Sequence, residues 1–364
     1  MNAGRTFHVD QYYTTQDYFE KRFDTLSRQF GFRAETAEAY GVWKESLRKE
    51  LRDISGISTM ARSNLGCSLV EEEKMDGYLR EKRLLETEPG VIMPFYALVP
   101  DGLPKGGKRP AVIAAHGHQI GGKLGTAGRS DIPAVAERIE EFHCDYGAAL
   151  VKEGFIVFCP DARGFGERRE IFMQGDTEEL YLRPSCTHLN NVAISLGQSM
   201  IGMLVWDLMK LLDYMATRDD CDMENIGCAG LSGGGMQTLW LSALDDRIKC
   251  AVISGYFYGY KDAMIKMQGN CSCNFIPHLW EKADTGDIGA LIAPRPLLIE
   301  TGERDIYNGQ SGLSNVIPQV NITRGAYALF DMEERLYHHV FDTGHKWNGE
   351  KAIPWLRRWL MEGK

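Results

Sequence analysis

The segment Gly230-Leu231-Ser232-Gly233-Gly234 follows a short run, Asn225 to Ala229, and precedes a helix-like run, Met236 to Leu244. A G-x-S-x-G therefore sits on a strand-to-helix turn, which makes Ser232 a candidate nucleophile. A serine at such a turn holds a strained backbone, and a β-carbon two positions away would crowd it; glycine removes that carbon. The alternative is an ordinary glycine-rich helix start, and the flanking strand and helix decide against it. A serine hydroxyl is a poor nucleophile at neutral pH, so it needs a histidine base and an acid that holds the histidine in its useful tautomer.

Both partners are expected downstream, acid first. The strand-like run Pro296 to Thr301 ends in Gly302-Glu303-Arg304-Asp305, which places Asp305 on a loop as the acid, with Glu303 and Asp262 as runners-up. The strand-like run Leu336 to Phe341 ends in Asp342-Thr343-Gly344-His345, which makes His345 the base. His338 and His339 fall inside that strand, one on each face, where neither can reach its edge. His8, His143, His188 and His278 have no motif around them.

A tetrahedral intermediate needs two N–H donors for its oxyanion. Gly233, first after the serine, supplies one, and His118 in the loop His116-Gly117-His118-Gln119 the other. His116 and His118 could instead share a face as metal ligands, but no further partner at ligand spacing is visible. Cys271 and Cys273 alone make an incomplete zinc site. The expectation is therefore no metal and no cofactor. Asp161-Ala162-Arg163-Gly164-Phe165-Gly166 lacks the lysine and spacing of a phosphate loop and reads as a tight turn with a structural arginine.

Positioning these groups requires a sheet whose carboxyl edge gathers the loops. Residues 15–55 show apolar side chains at helical spacing, broken near Gly31, and read as a helical N-terminal extension spanning 1–76. Tyr78 to Thr87 and Val91 to Val99, joined by Glu88-Pro89-Gly90, predict an antiparallel hairpin. Short β-rich runs then alternate with helices predicted at Ile132 to Lys152, Val192 to Thr217 and Glu350 to Leu360. Such alternation predicts a mainly parallel sheet covered on both faces: α/β class, eight strands, the α/β-hydrolase layout over residues 77–364. Long connections at 161–190 and 255–295 interrupt it where a pocket is built. Tyr256, Phe257, Tyr258, Tyr260, Phe275 and Trp280 lie in the second, and Trp347 follows the base. Rings near the acyl carbon would favour a short acyl group; equally, they could pack the insertions onto the sheet. Tyr256, Asn274 and Trp347 are the substrate-binding candidates.

The chain has 364 residues, 44% hydrophobic, and a net charge of −9. That supports one large domain and argues against a partner recognised through phosphates. A small neutral ester is the expected partner, with neither nucleic acid nor membrane, and self-association into a homo-oligomer is left open. Nine scattered cysteines do not form a disulfide framework, and no signal peptide or long apolar span is visible. A cytoplasmic location is expected.

The residues resemble the α/β-hydrolases around acetyl xylan esterases, cephalosporin C deacetylases and dienelactone hydrolases. The matching stretches are HGHQ at 116–119, PDARGFGERR at 160–169, GLSGGG at 230–235, CNFIP at 273–277, APRPLLIETGERD at 293–305 and TGHKWNGEKAIPWLRRWL at 343–360. The N-terminal extension is similar to that of the bacterial acetyl-xylan-esterase-like branch. The resemblance implies hydrolysis of a small acyl ester through an acyl-enzyme, with Ser232, Asp305 and His345 as triad and no metal. Dienelactone hydrolases use a cysteine nucleophile, so the serine argues against that activity. A prolyl-oligopeptidase-like peptidase would need an N-terminal propeller that about 75 residues cannot form. A catalytically silent scaffold would be expected to lack a triad member.

Overall fold

The computed structural model describes residues 8–103, 106–175, 177–266 and 270–363. Nine strands, β1 (Cys67–Lys74), β2 (Tyr78–Glu88), β3 (Val91–Pro100), β4 (Arg109–Ala115), β5 (Ile156–Pro160), β6 (Cys221–Leu231), β7 (Ile248–Ser254), β8 (Leu297–Gly302) and β9 (Leu336–Phe341), form one sheet. Their order is β1-β2-β3-β5-β4-β6-β7-β8-β9. Pairing is antiparallel from β1 to β5 and parallel from β5 to β9. The last five residues of β4, Ala111 to Ala115, are wholly buried, as a central strand covered by helices on both faces requires. The chain leaves β4 toward β5 on one side and returns to β6 on the other. The crevice at this reversal lies outside the carboxyl ends of β4 and β6, where an open α/β sheet builds its site.

The sheet has one strand more than the sequence predicts. The additional strand, β1, reads CSLVEEEK and is almost wholly exposed. It pairs Glu71 with Lys82 and Glu73 with Arg80. Its charges suit a sheet edge, where they discourage pairing with another chain, and they erase the apolar alternation that would mark it in sequence. The N-terminal extension therefore ends before residue 67.

Two helices predicted as continuous are broken. Ile132 to Lys152 divides into Pro133–Phe142 and Tyr146–Lys152 at His143, whose φ of 52° places it in the left-handed region. Val192 to Thr217 becomes Cys186–Ser195 and Met200–Met215, inclined by 100°. Gly197 and the cap at Ser199, whose hydroxyl accepts from Gly202 N at 3.1 Å, make the break. A further helix, Leu313–Ala328, carries no regular apolar stripe and was not predicted. No single helix among the described residues is long and apolar enough to cross a membrane.

The extension forms helices Gln16–Leu26 and Ala37–Ser55. The second buries Tyr40, Leu47 and Leu51 in the main core. Arg48 grips Asp246 through two bonds of 2.7 and 2.6 Å and donates from Nε to the Ala243 carbonyl. Arg28 forms a similar fork on Asp287, both bonds 2.8 Å, and the Tyr40 hydroxyl donates to the Ala293 carbonyl at 2.8 Å. The extension thus braces the end of the elbow helix and the base of the 255–295 insertion.

The 161–190 insertion is held by buried charge. Lys123 and Asp161 are both fully enclosed, with Nζ 2.6 Å from Oδ2 and the Lys123 amide donating to Oδ1 at 2.7 Å. Arg163 and Arg168 converge on buried Asp207, the former also on Glu88. Burial alone would raise the Asp207 carboxyl, but Arg168 and Arg163 outweigh it and hold it at about 2. The PDARGFG turn is structural, with Arg163 and the following Arg168 turned inward. Removing one partner of an enclosed pair strands the other charge at a cost of about 3–5 kcal/mol, whereas an apolar pair of similar volume can be neutral. Because Lys123 keeps Glu167 as a second partner, Asp161→Ala should lower unfolding stability by at most about that amount in urea titration, and Lys123→Met with Asp161→Leu should recover part of it. An unchanged midpoint in the single variant would refute the assignment.

Candidate active site

Ser232 joins β6 to the buried helix Gly233–Leu244 with φ 59° and ψ −120°, a conformation costly for any side chain. Its amide donates to the Ser254 carbonyl at 2.9 Å, fixing the turn against β7. A β-carbon on Gly230 would lie 2.4 Å from the Gly234 carbonyl group, and one on Gly234 would lie 1.9 Å from the Ala115 oxygen. Both contacts are with backbone and cannot be relieved by a rotamer, which is why the elbow is written in glycine.

Register carries the second part of the site to the first. Ala115, last in β4, pairs with Gly230 in β6, so the His116 to Gln119 loop begins beside the elbow. The Gln237 side chain donates to the His116 carbonyl at 2.9 Å. The buried His116 ring accepts from the Ala162 amide at Nε2, 2.9 Å, which leaves the proton on Nδ1 for the Gly117 carbonyl at 2.8 Å. Burial pushes its pKa down, keeping the ring neutral. His116 is thus a structural link and not a ligand. The His118 ring lies directly over Gly233: a β-carbon there would be 2.8 Å from His118 Nδ1.

The loops after β8 and β9 place Asp305 against His345, with Oδ2 2.6 Å from Nδ1. Asp305 is buried, and its Oδ1 accepts from the Tyr307 amide at 2.9 Å. The His345 ring is largely enclosed, edge-on to Tyr307 at 4.7 Å and Phe142 at 6.4 Å. The runner-up acids lie elsewhere: Glu303 is exposed, and Asp262 accepts from the Ser311 amide at 2.8 Å. His338 bonds Thr301, and burial pushes it down to about 4.

Ser232 stands between two cavities. One, of about 510 Å³, is lined by Gly117, His118, Phe142, Ser232 and His345 among others. The second, of about 240 Å³, is lined by His118, Cys186, Ser232, Tyr256, Tyr258, Asn274 and Tyr307 among others. The Tyr256 hydroxyl donates to Asn274 Oδ1 at 2.8 Å, joining two of the predicted substrate contacts. Trp347 is not brought to the site: it is buried and stacked on Tyr146 at 4.6 Å, because its amide is tied to the Phe142 carbonyl. Of the other predicted wall rings, Phe275 and Trp280 line a groove beside helix Gln16–Leu26, and Phe257 and Tyr260 pack inside the core.

The expectation of an incomplete metal-ligand set is overturned. His118, Cys186, Cys271 and Cys273 converge, with one ligand atom of each within 4.8 Å of all the others. Cys186 enters from the 161–190 insertion, 85 residues before Cys271. That distance hides the pairing from any local motif; the serine-proline stretch ahead of Cys186 offers no signal. Burial pushes the His118 imidazolium down, but Cys186 and Cys271 outweigh it and hold it up to about 10. All nine cysteines are free.

A mixed sheet with antiparallel start, a serine elbow at its switch point and an acid–histidine pair on the ends of the last two strands, β8 and β9, define the α/β-hydrolase fold. The chain belongs to the Abhydrolase family, whose model matches residues 8–339. YtaP of Bacillus subtilis (strain 168), described as a hydrolase, is 28% identical over 265 residues, covering 70% of this chain and 80% of its own. A Bacteroides fragilis protein described as an acetyl xylan esterase superposes with a TM-score of 0.73 at 19% identity, over 91% of this chain and 83% of its own. A glucuronoyl esterase from Solibacter usitatus gives 0.64 at 14% identity, over 91% and 96%.

The Gly234 contact makes a direct prediction. Gly234→Ala must push β4 and the elbow helix apart, so turnover of an ester should fall at least about a hundredfold as the loop after β4 separates from Ser232. Activity within about twofold of the parent protein would show that the elbow tolerates the displacement.

Proposed function

We propose that the protein is a serine carboxylic ester hydrolase acting through an acyl-enzyme, with Ser232 as nucleophile, His345 as general base and Asp305 as orienting acid. The observation that carries this reading is the 2.6 Å contact between Asp305 Oδ2 and His345 Nδ1 beside a serine held at φ 59°. The carboxylate fixes the proton on Nδ1 and leaves Nε2 as the acceptor. Ser232 Oγ attacks the ester carbonyl carbon while its proton passes to His345 Nε2. The Gly233 and His118 amides stabilise the oxyanion. Collapse breaks the bond to the alcohol oxygen, which takes the proton from His345. A water molecule, deprotonated by the same imidazole, then attacks the acyl carbon and releases the acid.

Similarity to an acetyl xylan esterase and a glucuronoyl esterase supports an ester of a sugar, and the net charge of −9 favours a neutral one. The small cavity bounded by Tyr256, Tyr258 and Tyr307 supports a short acyl group, acetyl first. Nine free cysteines support work in a reducing compartment such as the cytoplasm.

Ser232→Ala should reduce p-nitrophenyl acetate turnover by at least about 10⁴-fold with an unchanged circular dichroism spectrum. Asp305→Asn should cost on the order of 10⁴ in kcat, and Glu303→Gln no more than about twofold. A larger loss from Glu303→Gln would reassign the acid. Across p-nitrophenyl esters from acetate to octanoate, kcat/KM should fall steeply by hexanoate. A flat or rising profile would show that the tyrosines do not close the acyl pocket.

A further inference from the structure

We infer that His118, Cys186, Cys271 and Cys273 form a four-coordinate zinc site that clamps the oxyanion loop to both insertions. Four ligand atoms of the types zinc takes lie within 4.8 Å of one another. Zinc–sulfur bonds of about 2.3 Å and a zinc–nitrogen bond of about 2.0 Å set tetrahedral ligand atoms roughly 3.5–3.8 Å apart. His118 Nε2 and Cys273 Sγ are already separated by 3.4 Å. Cys186 Sγ and Cys271 Sγ approach to 2.8 Å, nearer than two thiols pack without a bond or a shared partner, and they would part by about 1 Å around the ion.

The surroundings fit a metal–thiolate group. Thr187 Oγ1 lies 3.7 Å from Cys271 Sγ, and Asn274 Nδ2 lies 3.8 Å from Cys273 Sγ, two hydrogen-bonding groups placed to steady sulfur ligands. Cys186 opens the helix Cys186–Ser195, where the helix dipole favours a thiolate. Three sulfurs and one imidazole select zinc over magnesium or calcium, which take oxygen ligands.

The ligands come from three separate segments: the loop after β4, the 161–190 insertion and the 255–295 insertion. With four protein ligands the site is closed, and the ion acts by position rather than as a Lewis acid. It anchors the His118 ring over Gly233 and so sets the backbone around the elbow. His118 and its three cysteine partners are positioning residues in this respect. The site rests on ligand geometry alone, so metal content tests it separately from the triad.

The full chain, purified from zinc-supplemented cells and desalted, should carry about one zinc per molecule by elemental analysis. Replacement by cobalt should give the visible bands of a tetrahedral thiolate site. Cys186→Ser and Cys273→Ser should each lower zinc retention at least about tenfold, while Cys159→Ser and Ser232→Ala keep it. Removing the ion with a strong chelator should lower kcat on p-nitrophenyl acetate by about 10–100-fold, and added zinc should restore it. Three outcomes would overturn the proposal: zinc-exposed parent protein with neither zinc nor cobalt bands, a Cys186–Cys271 disulfide in mass spectra of that protein, or equal zinc loss in Cys159→Ser. Bound zinc whose removal leaves kcat unchanged would overturn the clamp.

Discussion

The strained backbone of Ser232 is the constraint on which the rest of the structure depends. A residue held at φ 59° and ψ −120° costs of order 1–3 kcal/mol and persists only where its surroundings over-determine it. Here β7 fixes its amide, β4 approaches to a distance only Gly234 permits, and the elbow helix is buried along its whole length. The central parallel strands therefore must be tightly registered. The wholly apolar ends of β4 and β6 supply that register without polar groups competing for it.

Around this rigid centre, the elements that shape the cavities are irregular; the first insertion buries little core of its own, whereas the second adds Phe257, Tyr260, Leu279 and Ile288 to the main core. Their order comes from charge and backbone pairing at a distance. The enclosed Lys123–Asp161 pair secures the first insertion, and the Arg28–Asp287 fork secures the base of the second. Buried pairs of this kind are poor sources of net stability. Their value here is directional, since a buried lysine held between Asp161 and Glu167 admits few other arrangements of its loop.

Sequence shows what is local. The elbow reads directly because its glycines, serine and flanking helix are contiguous, and the positions of Asp305 and His345 follow from two strand ends. The reading falls short where partners are distant or patterns are masked. Charges concealed β1, a glycine and a serine cap split one predicted helix, and Trp347 turns inward although it follows His345 by two residues. Cys186 carries no sign of Cys271, because the crossover that joins them is a property of the sheet order. Tyr256, Tyr258 and Asn274 reach the cavity while Phe257 and Tyr260 do not, a division set by tertiary packing rather than by residue type.

The bonds between the extension and the second insertion also carry a consequence for how the molecule is made. The Tyr40 hydroxyl bonds a carbonyl 253 residues later in the chain. At about 5–20 residues per second, that partner leaves the ribosome roughly 13–50 s after Tyr40. For most of that interval, until the helix Gly233–Leu244 emerges, the apolar side of helix Ala37–Ser55 has neither the elbow helix nor the second insertion to cover it. The segment synthesised first is among the last to find its place, so the nascent chain spends most of its synthesis with a sticky amphipathic helix exposed to its neighbours on the polysome.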